Sequence, residues 1–72
     1  EAITARVDLK ADRQAGVLRV QAAWREPEAT ADTPGRLAHE LRRMAAWLGL
    51  EGVEVAGKGD LAGPLAGVIR ES

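Results

Sequence analysis

A chain of 72 residues is long enough for one domain, and its lack of cysteine excludes disulfides, thiolate metal sites and thiol nucleophiles. Ten lysines and arginines against eleven aspartates and glutamates give a formal charge of −1, which supplies no bulk attraction to nucleic acid or anionic lipid. Hydrophobic residues make up 46% and charged residues 29%, a globular balance, and no apolar run reaches the roughly 20 residues that a membrane span needs. We expect residues 1–72 to be a single soluble, cytoplasmic domain, and the start in a strand without an initiator methionine predicts a larger parent protein.

Two stretches of alternating sequence predict a β-hairpin at the start of the chain. Apolar residues alternate with polar ones in each stretch, as in a strand with one buried face. They are Ile3, Ala5, Val7 and Leu9 in the first stretch and Leu18, Val20, Ala22 and Trp24 in the second. Between the two stretches, Asp12 favours a turn and Gly16 can adopt the positive φ that closes a hairpin.

The register of this hairpin is predicted by pairing apolar residues across its inner face. Setting Leu9 opposite Leu18 pairs apolar residues along the whole face. The same register brings Asp8 opposite Arg19 as an ion pair between the strands. A slide by two residues keeps the same faces and is the alternative.

The middle of the chain predicts a loop followed by an amphipathic helix. Residues 25–33 are rich in acidic and turn-forming residues and are expected to form a variable connecting loop. Thr33 before Pro34 is a typical helix start, and Gly49 is a typical helix end. The apolar residues between them share about 80° of the helix surface. They are Leu37, Leu41, Met44, Ala45 and Leu48.

Trp47 lies at the flank of this apolar stripe. We predict that it covers the edge of the core, and stacking on a nucleic-acid base is the alternative.

The remainder of the chain predicts a short third strand and a second helix. Residues 51–56 alternate with Val53 and Val55 inward, and Asp60 is placed to cap the helix that follows. The apolar face of that helix consists of Leu61, Leu65, Val68 and Ile69. The predicted fold class is α+β in the order ββαβα: a β-hairpin, a helix, a short third strand and a C-terminal helix, with the helices packed on one face of a small sheet.

No residue pattern predicts a catalytic, cofactor-binding or metal-binding site. His39 has neither spaced partner ligands nor an orienting acid, and we interpret it as a surface residue. Residues 57–60 lack the length and the lysine–serine or lysine–threonine ending of a phosphate-binding loop, so they predict a turn and a helix cap. Ion pairing and turn capping explain Asp8 and Asp12 as well as a pair of catalytic carboxylates does.

Basic residues on the hairpin are the candidate functional residues. They are Arg6, Lys10 and Arg19 on the outer face of the strands and Arg13 at the tip of the turn. Phosphate contacts from such residues position a protein on DNA without reading its sequence. Asp8 and Asp12 weaken the positive field, so a solvated face and a face buried against a neighbouring domain are the alternatives.

Two blocks of the sequence carry a resemblance to a known family. "ARVDLKADRQAGVLRVQAAW" and "LAHELRRMAAWLGLEGVEVAGKGDLAGPL" resemble the C-terminal end of the bacterial winged-helix DNA-binding proteins related to the YcaQ-type interstrand-crosslink-repair DNA glycosylases. The likeness extends from Ala5 over nearly the whole chain and omits mainly residues 25–33. The first block is fairly distinctive, whereas "LRRMAAWLGL" alone is weak.

The resemblance implies a parent protein with tandem winged-helix units that bind damaged DNA and with a glycosylase activity that cleaves the N-glycosidic bond of an alkylated base. The family's catalytic glutamine motif lies upstream, and neither Gln14 nor Gln21 matches it, so no catalytic residue is carried over. The resemblance therefore implies an accessory C-terminal domain that is no enzyme by itself and needs no cofactor. Its partners would be the upstream winged-helix domains and, through the parent, DNA.

Two other classes of function are alternatives. The domain could be a docking module between domains or proteins, without direct DNA contact, in a parent that resembles a transcription factor. An exposed apolar patch would favour that function. It could instead bind a small molecule in a regulatory role, which a concave pocket with convergent polar groups would favour.

Overall fold

The computed structural model describes residues 5–71, which form a three-stranded sheet with two helices on one of its faces. The elements follow the order β1 (Ala5–Asp12), β2 (Val17–Arg25), α1 (Thr33–Trp47), β3 (Gly52–Val55) and α2 (Ala62–Glu71). The central strand β2 is antiparallel to β1 and parallel to β3, which it reaches through α1. The predicted α+β class, the ββαβα order and the placement of the helices are confirmed.

The hairpin register differs from the predicted one by two residues. Leu9 lies opposite Val20, and the predicted pair of Asp8 with Arg19 is wrong. The turn explains the difference, because the predicted register would close the hairpin with a two-residue loop that lacks glycine and asparagine. The observed turn contains four residues and ends at Gly16, which has a φ of 74° and donates its N–H to the Asp12 carbonyl at 2.9 Å. Turn chemistry thus decides between the two registers that keep the apolar faces.

A β-bulge in β2 changes which residues face the core. The pairing shifts between Asp8 and Leu9, so that Gln21 is an extra residue on β2. Beyond it Ala23 is fully buried, and Trp24 turns outward with 36% of its surface exposed, opposite Arg6. The prediction that Trp24 lies on the core face is therefore wrong, because one inserted residue reverses the alternation of a strand. The partner Ile3 that it was predicted to have lies outside the described residues.

The apolar face of α1 is centred one position further round the helix than predicted. Ala38, Leu41 and Ala45 are each no more than 2% exposed, whereas Met44 is 42% and Trp47 86% exposed. The two small alanines let the helix pack closely against the sheet around Leu41. The neighbouring row of side chains, which contains Met44 and Trp47, then faces solvent. The predictions that Met44 belongs to the buried stripe and that Trp47 covers the core edge are wrong.

The end of α1 follows the predicted glycine signal. Gly49 has a φ of 77°, and its N–H donates to the Ala46 carbonyl at 3.1 Å while the Leu50 N–H donates to the Ala45 carbonyl at 2.8 Å. This is a Schellman motif, which satisfies carbonyls at the helix end. The helix starts at Thr33, one residue earlier than predicted, with Asp32 and not Thr33 at the N-cap position. The connecting loop occupies residues 26–32, because β2 extends to Arg25.

The segment between β3 and α2 continues along the edge of β2. Ala23 donates its N–H to the Lys58 carbonyl at 2.9 Å and accepts the Leu61 N–H at 3.1 Å. Asp60, which was predicted to cap α2, instead accepts the Arg25 N–H at 2.8 Å through Oδ1. The apolar residues of β3, of α2 and of the position before α2 pack on the core as predicted; they are Val53, Val55, Leu61, Leu65, Val68 and Ile69.

Candidate interaction face of the sheet

The face of the sheet opposite the helices carries the candidate residues of the hairpin. We call this surface the outer face; it consists of Arg6, Asp8, Lys10, Asp12, Arg19, Trp24 and Glu54. Three of these side chains are basic and three are acidic. The outer face is therefore a mixed and balanced charged surface with one aromatic residue.

Arg19 lies between two carboxylates on the neighbouring strands. Its Nη2 is 2.9 Å from Oδ2 of Asp12 on β1, and its Nη1 is 2.6 Å from Oε1 of Glu54 on β3. The hydrogen bond with Arg19, followed by the Ala15 N–H, holds the pKa of Asp12 below its ordinary value, and the same bond raises the pKa of Arg19. The guanidinium of Arg19 is thus occupied in joining all three strands.

The acid end of the pH–stability curve should report on this contact. The pKa of Asp12 is lowered in the folded state, so the stabilisation is present above its ordinary pKa of 3.8 and is lost as pH falls through the lower folded-state pKa. We expect Asp12→Asn to lower the free energy of unfolding at neutral pH and to flatten its decline in acid. Urea unfolding over a pH series measures both effects.

The control for this prediction is Glu28→Gln, which removes an exposed carboxylate from the connecting loop. That variant should keep the pH dependence of the parent chain. An Asp12→Asn variant with an unchanged acid decline would contradict a stabilising contact between Asp12 and Arg19.

Arg13 at the hairpin turn is bound to the end of α1. Its Nη1 donates to the carbonyl oxygen of Leu48 at 3.2 Å, and Leu48 is the C-cap of that helix. A cation at this position also interacts favourably with the negative end of the helix dipole. Arg13 therefore connects the hairpin to the helix layer.

Arg6 and Lys10 are the exposed cations of β1. No ion pair joins either of them to another of residues 5–71. They lie four residues apart on one strand face, or about 13 Å at the usual rise per residue. Lys10 lies opposite Arg19, and Arg6 lies opposite Trp24. The structure thus places three of the four candidate cations on one face but leaves only two of them without an ionic partner.

Comparisons with protein-family models, with curated proteins and with solved structures give no match for this chain. The resemblance to the winged-helix proteins related to YcaQ-type glycosylases therefore stays a prediction, which the two quoted sequence blocks carry.

The sequence interpretation missed a second exposed feature, on the outward side of α1. A shallow open depression there is lined by Glu40, Arg43, Met44, Ala46 and Trp47. Arg43 and Glu40 form an ion pair at 3.6 Å beside the two large apolar side chains. The spacing of three residues between Met44 and Trp47 is the signal that could have indicated this strip.

The other residues that the sequence analysis considered for a functional role are His39 and the turn at 57–60. His39 is exposed on α1, and the predicted turn at 57–60 holds the edge of β2 through its backbone. Within residues 5–71 no three histidine, aspartate or glutamate side chains are grouped so that they could hold a metal ion. No helix in that part of the chain has the length and apolar character required to cross a membrane.

Proposed function

We propose that this chain is the accessory C-terminal domain of a cytoplasmic winged-helix DNA-binding protein related to the YcaQ-type DNA glycosylases. In this role it supports DNA binding or repair by packing on the upstream winged-helix domains, and it contributes little DNA affinity itself. The expectation of low DNA affinity rests on the position of Arg19 between Asp12 and Glu54. The proposed relation to the winged-helix proteins is supported by the two sequence blocks that begin at Ala5 and Leu37.

The charge of the outer face argues against a strong phosphate-binding surface. Arg6 and Lys10 are its two cations without an ion pair among residues 5–71, and Asp8 lies between them on β1. Two neutralised phosphates give a slope of about −1.8 in log K against log salt, far below that of proteins which make 6–10 such contacts. Binding to DNA through this face alone should therefore be weak near physiological salt.

The same face has the composition of a surface between domains. Interfaces within a chain are more polar than obligate subunit interfaces, and tryptophan and arginine are enriched in their cores. Trp24 is 36% exposed opposite Arg6, and the ion pairs of Arg19 join the three strands further along the same face. A neighbouring domain that covers Trp24 and offers an acidic group to Arg6 fits this surface.

An NMR titration of the labelled chain tests the proposal in two arms. In the first arm a short DNA duplex is added at low salt and again at about 0.15 M, where charges are screened beyond about 8 Å. In the second arm the upstream winged-helix region of the parent is added in trans. We expect weak, salt-sensitive shifts in the first arm and clear shifts at the Trp24 indole and along β1 in the second.

A pair of double variants controls for general charge effects. Arg6→Gln with Lys10→Gln removes two charges from the outer face, and Arg36→Gln with Arg70→Gln removes two from exposed positions on the helices. Only the first pair should abolish the residual DNA shifts. A submicromolar Kd for DNA near physiological salt would instead make the hairpin a direct backbone-contact surface, and the absence of shifts with the upstream region would reject the packing role.

A further inference from the structure

We propose that two copies of this chain associate through the open edge of β1, with antiparallel strands related by a two-fold axis at Leu9. The paired edge would extend the three-stranded sheet of each copy into one sheet of six strands. The inference rests on the order of charges along β1 and on the backbone groups that this strand leaves unpaired.

The free backbone groups of β1 can be identified from the hairpin. The Asp12 carbonyl accepts the Gly16 N–H inside the turn, so the even-numbered residues of β1 direct their backbone groups toward β2. The odd-numbered residues Val7, Leu9 and Ala11 then direct theirs to the other side. β1 is one of the two edge strands, and no strand within residues 5–71 pairs with its outer side.

The charges of β1 are most completely self-complementary when the two-fold axis lies at Leu9, because an axis at Val7 or Ala11 gives only two pairs of opposite charge. Along the outer face the side chains alternate in sign in the order Arg6, Asp8, Lys10 and Asp12. An antiparallel second copy with the axis at Leu9 places its Asp12 opposite Arg6 and its Lys10 opposite Asp8. Each strand contributes the same pairs in reverse, so four pairs of opposite charge cross the axis.

Neighbouring registers are disfavoured by the same charges. A slide by two residues in one direction sets Asp8 opposite itself and Arg6 opposite Lys10. A slide in the other direction sets Lys10 opposite itself and Asp8 opposite Asp12. Because like charges directly opposite each other are destabilising, the Leu9 register is selected over both. Charged side chains on an edge strand can also prevent pairing with other strands. That role does not require the charges to follow a self-complementary order.

The inner face of β1 supports the same arrangement. The two helices pack mainly against β2, β3 and each other, and they leave Val7 and Leu9 only partly buried. In the proposed dimer Leu9 meets Leu9 of the second copy across the axis, and Val7 meets Ala11 of the second copy. Apolar side chains at the border of each core would thereby lose their contact with water.

Charge-reversal variants test the proposal by sedimentation equilibrium of the chain over a concentration series. Asp8→Lys alone and Lys10→Asp alone each replace two attractive contacts in the dimer by two repulsive ones. We expect each single variant to raise the dimer Kd at least about tenfold. A mixture of the two single variants should form a heterodimer, and the double variant should regain the homodimer, because both restore opposite charges at every pair.

Controls separate association from folding. Lys10→Asp places an acid opposite Arg19 within its own hairpin, so the fold should survive, and far-ultraviolet circular dichroism verifies this. Arg36→Asp makes the same change of charge at an exposed position on α1 and should leave association unchanged.

Three outcomes would overturn the proposal. The first is a chain that stays monomeric at millimolar concentration. The second is association that is insensitive to Lys10→Asp, which would indicate another surface or a register with its axis at Val7. The third is a mixture of the two single variants that fails to form a heterodimer.

Discussion

Gly59→Ala is expected to lower the free energy of unfolding by about 3 kcal/mol or more, because two costs add at this position. Gly59 has a φ of 100°, a conformation that side chains with a Cβ rarely adopt, and an added Cβ would lie 2.0 Å from the carbonyl oxygen of Ala23. That oxygen accepts the Leu61 N–H, so it cannot move without breaking the attachment of the segment to β2. Urea unfolding followed by tryptophan fluorescence measures the loss.

Gly49→Ala is the matched control for this prediction. Gly49 also has a positive φ, of 77°, but an added Cβ would meet no atom within 4 Å. Its cost should therefore be that of the backbone conformation alone, about 1–2 kcal/mol. Equal losses at the two glycines would mean that residues 57–61 do not run along β2 as described.

Leu41→Ala is expected to cost about 2–5 kcal/mol, whereas Trp47→Ala should cost less than about 0.5 kcal/mol. Leu41 is 2% exposed in the interior between α1 and the sheet, and its truncation would leave a cavity. Trp47 is the larger side chain but is 86% exposed and buries little apolar surface. Urea unfolding followed by circular dichroism compares the two variants without depending on a tryptophan signal. A large loss from Trp47→Ala would restore the prediction that this residue covers the core edge.

The elements of this fold could be predicted from sequence because each has a local signal. Alternation predicts both strands of the hairpin, and Gly49 correctly marks the end of α1. Periodicity does not show which residues lie at the centre of a buried helix face. Met44 and Leu41 fit the same periodic stripe, and only packing against the sheet shows that Ala38 and Ala45 flank the buried line.

The apolar pattern could not predict the hairpin register, because a slide of two residues leaves that pattern unchanged. The four-residue turn that ends at Gly16 decides it, and the extra residue Gln21 leaves no clear mark in the alternation. As a consequence, Trp24 lies on the outer face although the apolar pattern of β2 predicts that it faces the core.

The sequence predicted the face that carries three of the candidate cations, but it did not predict which of them form ion pairs. Alternation alone places Arg6, Lys10 and Arg19 on one face of the hairpin. The partner that occupies Arg19 together with Asp12 is Glu54, which lies 35 residues further along the chain. Long-range strand pairing brings that carboxylate into place, and no local pattern of the sequence contains this information.

The contacts between the hairpin and the second half of the chain also have a consequence for the order of folding. Arg13 with Leu48, Arg19 with Glu54 and Arg25 with Asp60 each join residues 35 positions apart. The hairpin and α1 can form from contacts between neighbours in sequence, but these bonds require closure of a long loop before any of them is made. We therefore expect the attachment of β3 to β2 to limit the folding rate, with the main barrier crossed when the second half of the chain folds back onto the first.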